Sequence, residues 1–246
     1  MEERGKRLLA VFAHPDDETY GPGGTIARYA IEGADVFLLT FTRGEAGTIG
    51  VSRKIPMREL GRRRKQELKA ACEALGIVDH QVLEVPDRRV SGYPETKGVA
   101  AVLEAFEAYR PDVVITFHRL GVSGHPDHKA VTRFAREAFR RAGDRGPSKL
   151  YEWVIPASLA PSRPGREILT VADAEITTRI EIPPEAMDRK MLAIERHETQ
   201  IEFFHLLTEL YGDYREATST EYFILADTRL PRPDTIETDL FEGIGE

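Results

Sequence analysis

Residues 8–18, which read LLAVFAHPDDE, decide the fold of this chain. Leu8 to Ala13 form a continuous apolar run, which is typical of a strand buried on both faces of a sheet. Two more runs of this kind follow, DVFLLTFT at 35–42 and DVVITFH at 112–118. Amphipathic helical patterns lie between the runs. This alternation predicts a Rossmann-like, doubly wound α/β fold with a mostly parallel sheet.

The rest of the chain extends this pattern and then departs from it. The spacing of apolar residues predicts helices at 23–31, 57–75, 98–109, 126–141 and 183–198. Further strands are expected at 81–85, 150–155 and 176–182, and an edge strand at 222–226. We therefore expect one domain, with a core at about 7–155, a C-terminal elaboration at about 156–230 and a loosely packed acidic tail at 231–246.

Composition and charge narrow the class of partner. The formal net charge of −7 argues against nucleic acid or an anionic membrane as the main partner. The apolar run near the N-terminus is too short for a membrane span or a signal segment, so no membrane insertion is expected. A single cysteine, Cys72, rules out an internal disulfide. We expect a cytoplasmic protein with a small-molecule partner, and the sequence leaves a homo-oligomer open.

Two polar clusters follow predicted strands of the core. The first, His14-Pro15-Asp16-Asp17-Glu18, comes directly after the first strand, and the second, His125-Pro126-Asp127-His128, follows the strand that ends near His118. Ligands of open α/β sheets bind beyond the carboxyl ends of the strands. We therefore expect both clusters at one edge of the sheet.

The residue types in these clusters suit a hydrolytic metal. Catalytic zinc takes three protein ligands and keeps one position open for water, and two imidazoles with one carboxylate are a suitable set. A further carboxylate can then act as general base. Taken alone, each cluster could equally be a capped, solvated turn. The residues by themselves do not distinguish Asp16 from Asp17, and they do not name the bond that is cleaved.

Seven segments together resemble one enzyme family. The chain is similar to the LmbE-like, PIG-L-like family of zinc-dependent N-acetylglucosaminyl de-N-acetylases. The similarity rests on AHPDDE at 13–18, GGT at 23–25, TRGEAG at 42–47, RKQELKAACEALG at 64–76, PDVVITF at 111–117, GHPDHKAV at 124–131 and KMLAIERHETQ at 190–200.

This resemblance implies a role for each polar residue of the clusters. It implies one Zn²⁺, or another divalent metal, held by His14, Asp17 and His128. It makes Asp16 the general base that activates the attacking water, and a protonated His125 the group that stabilises the oxyanion. Other implied roles are an imidazole-holding hydrogen bond from Asp127 and contacts to sugar hydroxyls from Arg64 and Asp87.

The function that follows is removal of an N-acetyl group from an N-acetylglucosamine-type conjugate. A metal-dependent hydrolase of another bond, such as a phosphoester or the amide of a thiol conjugate, is the alternative, and a non-catalytic sugar-binding module is a further one. Ser123 stands where some family members carry a tyrosine near the oxyanion, which leaves Tyr20 and Tyr93 as candidate replacements. The apolar residues at 203–210 are expected to pack in the core or at a subunit contact.

Overall fold

The computed structural model describes residues 5–47, 54–160 and 168–245. Seven strands form one sheet in the order β3-β2-β1-β4-β5-β7-β6. The first five strands are parallel to one another. The strands are β1 (Arg7–Phe12), β2 (Asp35–Thr40), β3 (Asp79–Val82), β4 (Val113–Phe117), β5 (Lys149–Val154), β6 (Thr178–Glu181) and β7 (Thr220–Thr228).

Helices connect the parallel strands, as the alternating pattern predicts. The apolar runs of β1, β2 and β4 are buried along nearly their whole length, because helices cover the central strands. The Rossmann-like, mostly parallel α/β fold is therefore confirmed. The helices are α1 (Asp17–Tyr20), α2 (Gly23–Ile31), α3 (Met57–Leu75), α4 (Glu95–Tyr109), α5 (Gly121–Gly124), α6 (Pro126–Ala142), α7 (Pro184–Arg196), α8 (Ile201–Tyr211) and α9 (Tyr214–Ala217).

The C-terminal strands differ from the prediction in their position. The segment 222–226 belongs to β7, which pairs antiparallel with β5 on one side and with β6 on the other. The expectation of an edge strand there is wrong, and β6 is the strand at that edge. Burial alternates along both β6 and β7, which is typical of strands with one wet face, so only the pairing partners show which of the two lies at the edge.

The acidic tail is also packed more closely than predicted. Leu240 and Phe241 are buried, and Glu237 accepts hydrogen bonds from Lys149 at 2.5 Å and Tyr151 at 2.8 Å. The expectation of a loosely packed tail is therefore wrong around these residues. Although the tail is acidic in composition, it buries two apolar side chains, Leu240 and Phe241. It also supplies the carboxylate of Glu237 as the partner of the buried Lys149.

The order of the strands fixes the place of a ligand site. The chain runs outward from β1 through β2 to β3, and then returns to place β4 on the other side of β1. The boundary between β1 and β4 is therefore a topological switch point, where α/β sheets form a crevice at the carboxyl ends of the strands. Among the described residues, none of the helices is both long enough and apolar enough to span a membrane.

Candidate metal site

The two polar clusters of the sequence meet at this switch point. The first lies in the turn after β1 and the first turn of α1, and the second lies at the start of α6, after β4. One ring nitrogen from each of His14, His125 and His128 lies within 4.8 Å of the other two. The prediction that both clusters share one edge of the sheet is confirmed.

Three of the predicted ligands have the spacing that one ion needs. His14 Nδ1 lies 3.2 Å from His128 Nε2, His128 Nε2 lies 3.3 Å from Asp17 Oδ1, and His14 Nδ1 lies 3.4 Å from Asp17 Oδ2. Ligand atoms about 2.0–2.1 Å from a tetrahedral ion are about 3.3 Å apart. The three side chains therefore surround one point, with a different oxygen of the Asp17 carboxylate nearest each imidazole. His125 is also near enough to be a ligand, so the distances do not by themselves make it non-ligating.

Groups beside the opposite edge of each ring orient the imidazoles. His128 Nδ1 lies 3.0 Å from the carbonyl oxygen of Gly121, so it carries the proton and leaves the Nε2 lone pair free. His14 Nε2 lies 3.2 Å from Asp87 and 3.5 Å from Asp127, and these carboxylates orient the ring with Nδ1 toward His128. The hydrogen bond from Asp127 to an imidazole stays a prediction.

Charge at the site gives the three predicted ligands different protonation states. Burial lowers the pKa of His128 to about 4, which keeps this imidazole neutral at pH 7. Burial alone would raise the pKa of Asp17, but His128 and His14 outweigh it and hold that pKa below its usual value. Burial alone would lower the pKa of His14, but the surrounding carboxylates outweigh it and raise that pKa well above its usual value. His128 and Asp17 therefore have the forms that bind metal, whereas His14 must lose a proton when a metal binds.

His125 occupies a different position from the two other histidines. It is the N-cap of α6, and its Nδ1 accepts a hydrogen bond from the backbone N–H of Asp127 at 3.2 Å. Its proton is therefore on Nε2, and burial with the nearby His14 lowers its pKa. The N-cap hydrogen bond uses the lone pair that a second proton would need, so the structure favours a neutral His125, and the protonated His125 of the reaction stays a prediction.

Asp16 differs from Asp17 in backbone and in environment. Its φ of 121° is unusual for a residue other than glycine, and such backbone strain persists where surrounding contacts impose it. Burial and the adjacent Asp17 raise the pKa of Asp16 to about 7. A carboxylate with a pKa near the working pH suits general base chemistry. The two aspartates therefore differ in conformation and in pKa, and the roles of base and ligand stay a prediction.

The corner between α7 and α8 holds the loop that carries Asp16. Gln200 Nε2 donates hydrogen bonds to the Asp16 carboxylate and, at 3.1 Å, to the carbonyl oxygen of Pro15. His197 Nε2 lies 2.8 Å from Glu18 Oε1, and Glu18 Oε2 accepts from the backbone N–H of Asp16 at 3.0 Å. His197, Gln200 and Glu18 are all buried. They restrain both the side chain and the backbone of Asp16.

Arg64 and Asp87 line the same cavity from the β2–β3 side of the sheet. Arg64 Nη1 donates to the carbonyl oxygen of Gly44 at 2.8 Å, and Asp87 Oδ2 accepts from the N–H of Ala46 at 2.9 Å. Burial raises the pKa of Asp87, but His14 beside it outweighs burial and lowers the pKa to about 2. Contact of either residue with sugar hydroxyls stays a prediction.

Of the other residues considered in the sequence analysis, some line the cavity and others do not. Ser123 and Tyr20 line the cavity, and the Tyr20 hydroxyl donates to the carbonyl oxygen of Gln200 at 3.3 Å. Tyr93 does not line it. Of the apolar residues at 203–210, Leu207 is buried, and Phe203, Leu206 and Leu210 face the cavity. The loops at 48–56 and 158–166 lie partly outside the described residues.

Comparison with known proteins now identifies the family. The profile described as PIG-L: GlcNAc-PI de-N-acetylase matches residues 9–139, which is more than half of the chain. The chain belongs to the PIG-L family. This family member is also 33% identical over 304 aligned positions to the 1D-myo-inositol 2-acetamido-2-deoxy-alpha-D-glucopyranoside deacetylase of Thermobispora bispora, covering 98% of this chain and 99% of the relative.

Solved structures share the fold of this PIG-L protein. N,N'-diacetylchitobiose deacetylase from Pyrococcus horikoshii superimposes with a TM-score of 0.66 at 20% identity, covering 89% of this chain and 82% of that one. GalB, the 4-carboxy-2-hydroxymuconate hydratase of Pseudomonas putida KT2440, also gives a TM-score of 0.66 at 20% identity, covering 93% and 99%. Because a hydratase and a deacetylase match equally well, the fold alone does not determine the reaction.

The sequence interpretation missed the part played by the α7–α8 corner. Gln200 and His197 lie about 180 residues from the loop they hold, so no local pattern connects them with Asp16. The available signal was the family-like segment KMLAIERHETQ at 190–200, to which we assigned no role.

Proposed function

We propose that this protein is a zinc-dependent hydrolase that removes an acetyl group from a small N-acetylglucosamine-type conjugate. The observation that carries the proposal is the set of distances among His14, Asp17 and His128, which suits one tetrahedral ion beside the carboxylate of Asp16. The deacetylase name of a relative aligned over nearly the whole chain supports the reaction and the amino-sugar substrate.

The donor set fits zinc better than a hard cation. Two neutral imidazoles and one carboxylate suit Zn²⁺, whereas Mg²⁺ and Ca²⁺ prefer a shell made of oxygen atoms. When bound, Zn²⁺ would polarise the amide carbonyl and lower the pKa of a water molecule to about 7. His14, Asp17 and His128 would hold it, with Asp87 and Asp127 keeping the His14 ring in orientation.

The remaining polar groups can carry the protons of amide hydrolysis. Asp16 takes the proton of the attacking water, since its carboxylate is buried and its pKa is raised to about 7. The Nε2–H of His125 donates a hydrogen bond to the carbonyl oxygen as negative charge develops there. Asp16 then returns the proton to the amine nitrogen, because His125 keeps its Nδ1 lone pair bound to the N–H of Asp127. The C–N bond breaks, and acetate and a free amine result.

The metal stoichiometry distinguishes this reaction from phosphoester hydrolysis. His14 Nε2, Asp87 and Asp127 are also close enough to hold an ion. We propose a single ion, with Asp87 and Asp127 placed to orient the His14 ring rather than to hold a second metal. Two metals about 4 Å apart would instead indicate phosphoester chemistry.

The test is acetate release from methyl N-acetylglucosaminide and from an N-acetylglucosaminyl inositol, together with the metal content by elemental analysis. We expect about one zinc per chain, loss of turnover on removal of metal with a chelator, and recovery with Zn²⁺ but not with Mg²⁺. His128→Ala should lose both zinc and turnover, while His80→Ala, a change outside the cavity, should keep both. Full activity in the chelated protein would disprove the proposal.

A further inference from the structure

The cavity of the metal site continues well beyond the predicted catalytic residues. Its volume is about 270 Å³, and it extends from the switch point toward β5, β7 and α8. The walls of this extension, called here the apolar chamber, consist mostly of large apolar side chains. They include Trp153, Ile155, Phe203, Leu206, Leu210 and Tyr211.

The chamber and the polar side of the cavity lie at opposite ends of one line along the sheet. Arg64, in the helix between β2 and β3, and Asp87, which follows β3, are on one side of the metal site. Trp153, in β5, is on the other side, whereas α8 starts beside α3, where the N–H of Thr199 donates to Glu67 at 3.0 Å, and leads toward β7. The predicted metal ligands follow β1 and precede α6, so they lie between the two ends.

Polar groups at the chamber wall are for the most part satisfied by the protein itself. Lys190 Nζ and Glu221 Oε1 are buried and 2.8 Å apart. Glu221 also accepts hydrogen bonds from the backbone N–H groups of Gly24 at 2.9 Å and Thr25 at 2.8 Å. The hydroxyl of Tyr211 is the exception, a buried donor without a partner among the described residues. The wall therefore offers little that a polyol could bind.

The helix α8 leaves much of its apolar surface uncovered by protein. Leu207 is buried, but Phe203, Leu206 and Leu210 are half-buried and line the cavity. Apolar side chains that line a cavity continuous with a reaction site are a binding surface for an apolar ligand group.

We propose that the chamber receives the acyl group of the amide that is cleaved, and that the preferred acyl group is an unbranched apolar chain longer than acetyl. This inference rests on the proposed function. If the sugar hydroxyls face Arg64 and Asp87, the acyl side of an amide held at the metal site points the opposite way, toward Trp153 and the end of α8 that leads to β7. An acetyl group places a single methyl there. Hydrolysis of the longer amide breaks the same C–N bond and releases the chain as its carboxylate.

The experiment compares two substrate series with the zinc-loaded protein. In the first, methyl glucosaminide carries N-acetyl, N-butanoyl, N-hexanoyl or N-octanoyl. In the second, N-acetylglucosamine carries a methyl or an octyl aglycone. Burial of one methylene group corresponds to about a fourfold gain. We expect kcat/KM for the hexanoyl amide to exceed that for the acetyl amide by at least tenfold, and the two aglycones to differ by less than threefold.

Two outcomes would overturn the inference while the proposed function stands. If the acetyl amide is the fastest of its series, the chamber does not receive the acyl group. If only the octyl aglycone gives a gain, the chamber binds the other end of the substrate.

A matched pair of variants tests the place of binding. Leu206→Glu introduces a charge into the chamber and should reduce the hexanoyl-to-acetyl ratio of kcat/KM below threefold. Leu192→Glu is the same change on the exposed side of α7, where Leu192 is 38% exposed, and should keep the ratio. An unchanged ratio in Leu206→Glu would contradict the proposed location.

A binding measurement separates failure of the inference from failure of the proposed function. By calorimetry, octanoate should bind to the zinc-loaded protein at least tenfold more tightly than acetate, and Leu206→Glu should abolish the difference. If no amide is hydrolysed but octanoate binds in this way, the chamber is right and the reaction is wrong. Equal binding of the two carboxylates would overturn the chamber itself.

Discussion

The amino-terminal and carboxyl-terminal parts of this chain contribute to the site in different ways. Residues 7–154 supply the predicted metal ligands and the candidate base, each directly after a strand or at the start of a helix. Residues 168–245 supply no predicted ligand or base. They contribute Gln200 and His197, which hold the Asp16 loop, and the helix α8, which lines the cavity.

This difference indicates that the predicted chemistry and the shape of the cavity come from separate parts of the chain. The family profile covers residues 9–139 and therefore ends before the carboxyl-terminal part begins. The chemistry depends on atoms at the β1–β4 switch point, whereas the shape of the cavity depends on segments packed against it later in the chain. Four predictions test this division, from the largest expected effect to the smallest.

Asp16→Asn should have the largest effect because it removes the proposed base without removing a proposed ligand. We expect kcat for acetate release to fall by about 10²–10⁴-fold, with the zinc content unchanged. The control is Asp234→Asn, an exposed aspartate outside the metal-site cavity. Normal turnover in Asp16→Asn would move the base to another residue and end the assignment of roles in the amino-terminal part.

Leu240→Ala tests whether the tail is a structural part of the domain. Leu240 is fully buried, so truncation of its side chain should lower the free energy of unfolding by about 3 kcal/mol. Ile236→Ala, in the same tail but at a residue that is 44% exposed, should change it by no more than about 0.5 kcal/mol. Urea unfolding provides both values. If the two variants are equally stable, the tail contributes little to the fold.

Gln200→Leu tests the contact between the two parts of the chain. Loss of the hydrogen bonds to Asp16 and Pro15 should lower kcat by about 10–100-fold, while KM and zinc content stay near their original values. Gln66→Leu, at an exposed position of α3, should leave kcat unchanged. A purely structural role would instead lower the thermal stability of Gln200→Leu and leave kcat intact.

The change of kcat/KM with pH should be the smallest of the four effects. The pKa of Asp16 is raised to about 7, and the base must be ionised, so activity increases with pH through this range. As the pH falls from 8 to 6, kcat/KM should fall by up to about tenfold. A bound cation lowers the pKa of a nearby carboxyl, so it can shift this fall only to lower pH. A rate that increases as the pH falls from 8 to 6 would contradict the assignment of a carboxylate base.

Much of the core could be predicted because its signals are local, and the candidate ligands come from signals of the same kind. The continuous apolar runs of β1, β2 and β4 predict strands buried on both faces, as observed. The HPDDE and HPDH segments follow strands of this kind. Helix α3 was predicted with its observed bounds, because Gly76 in a left-handed conformation ends it. In each case the deciding residues are neighbours in sequence.

The position of β7 and the packing of the tail could not be predicted, because their partners are distant in sequence. Glu237 is buried because Lys149 and Tyr151 require an acceptor, and these residues lie 86 to 88 positions away. An acidic segment without such a partner would be exposed to solvent. Whether the acidic tail is buried or exposed therefore depends on a contact between distant residues, which composition does not reveal.

The sequence by itself determined the class of fold, the family and the residues that could bind a metal, because these depend on patterns within a few neighbouring positions. Only the tertiary structure decided which aspartate is buried beside Gln200, which nitrogen of each histidine is free, and where the cavity becomes apolar. Those properties arise from side chains far apart along the chain, whose charges and hydrogen bonds act on one another only after the sheet brings them together.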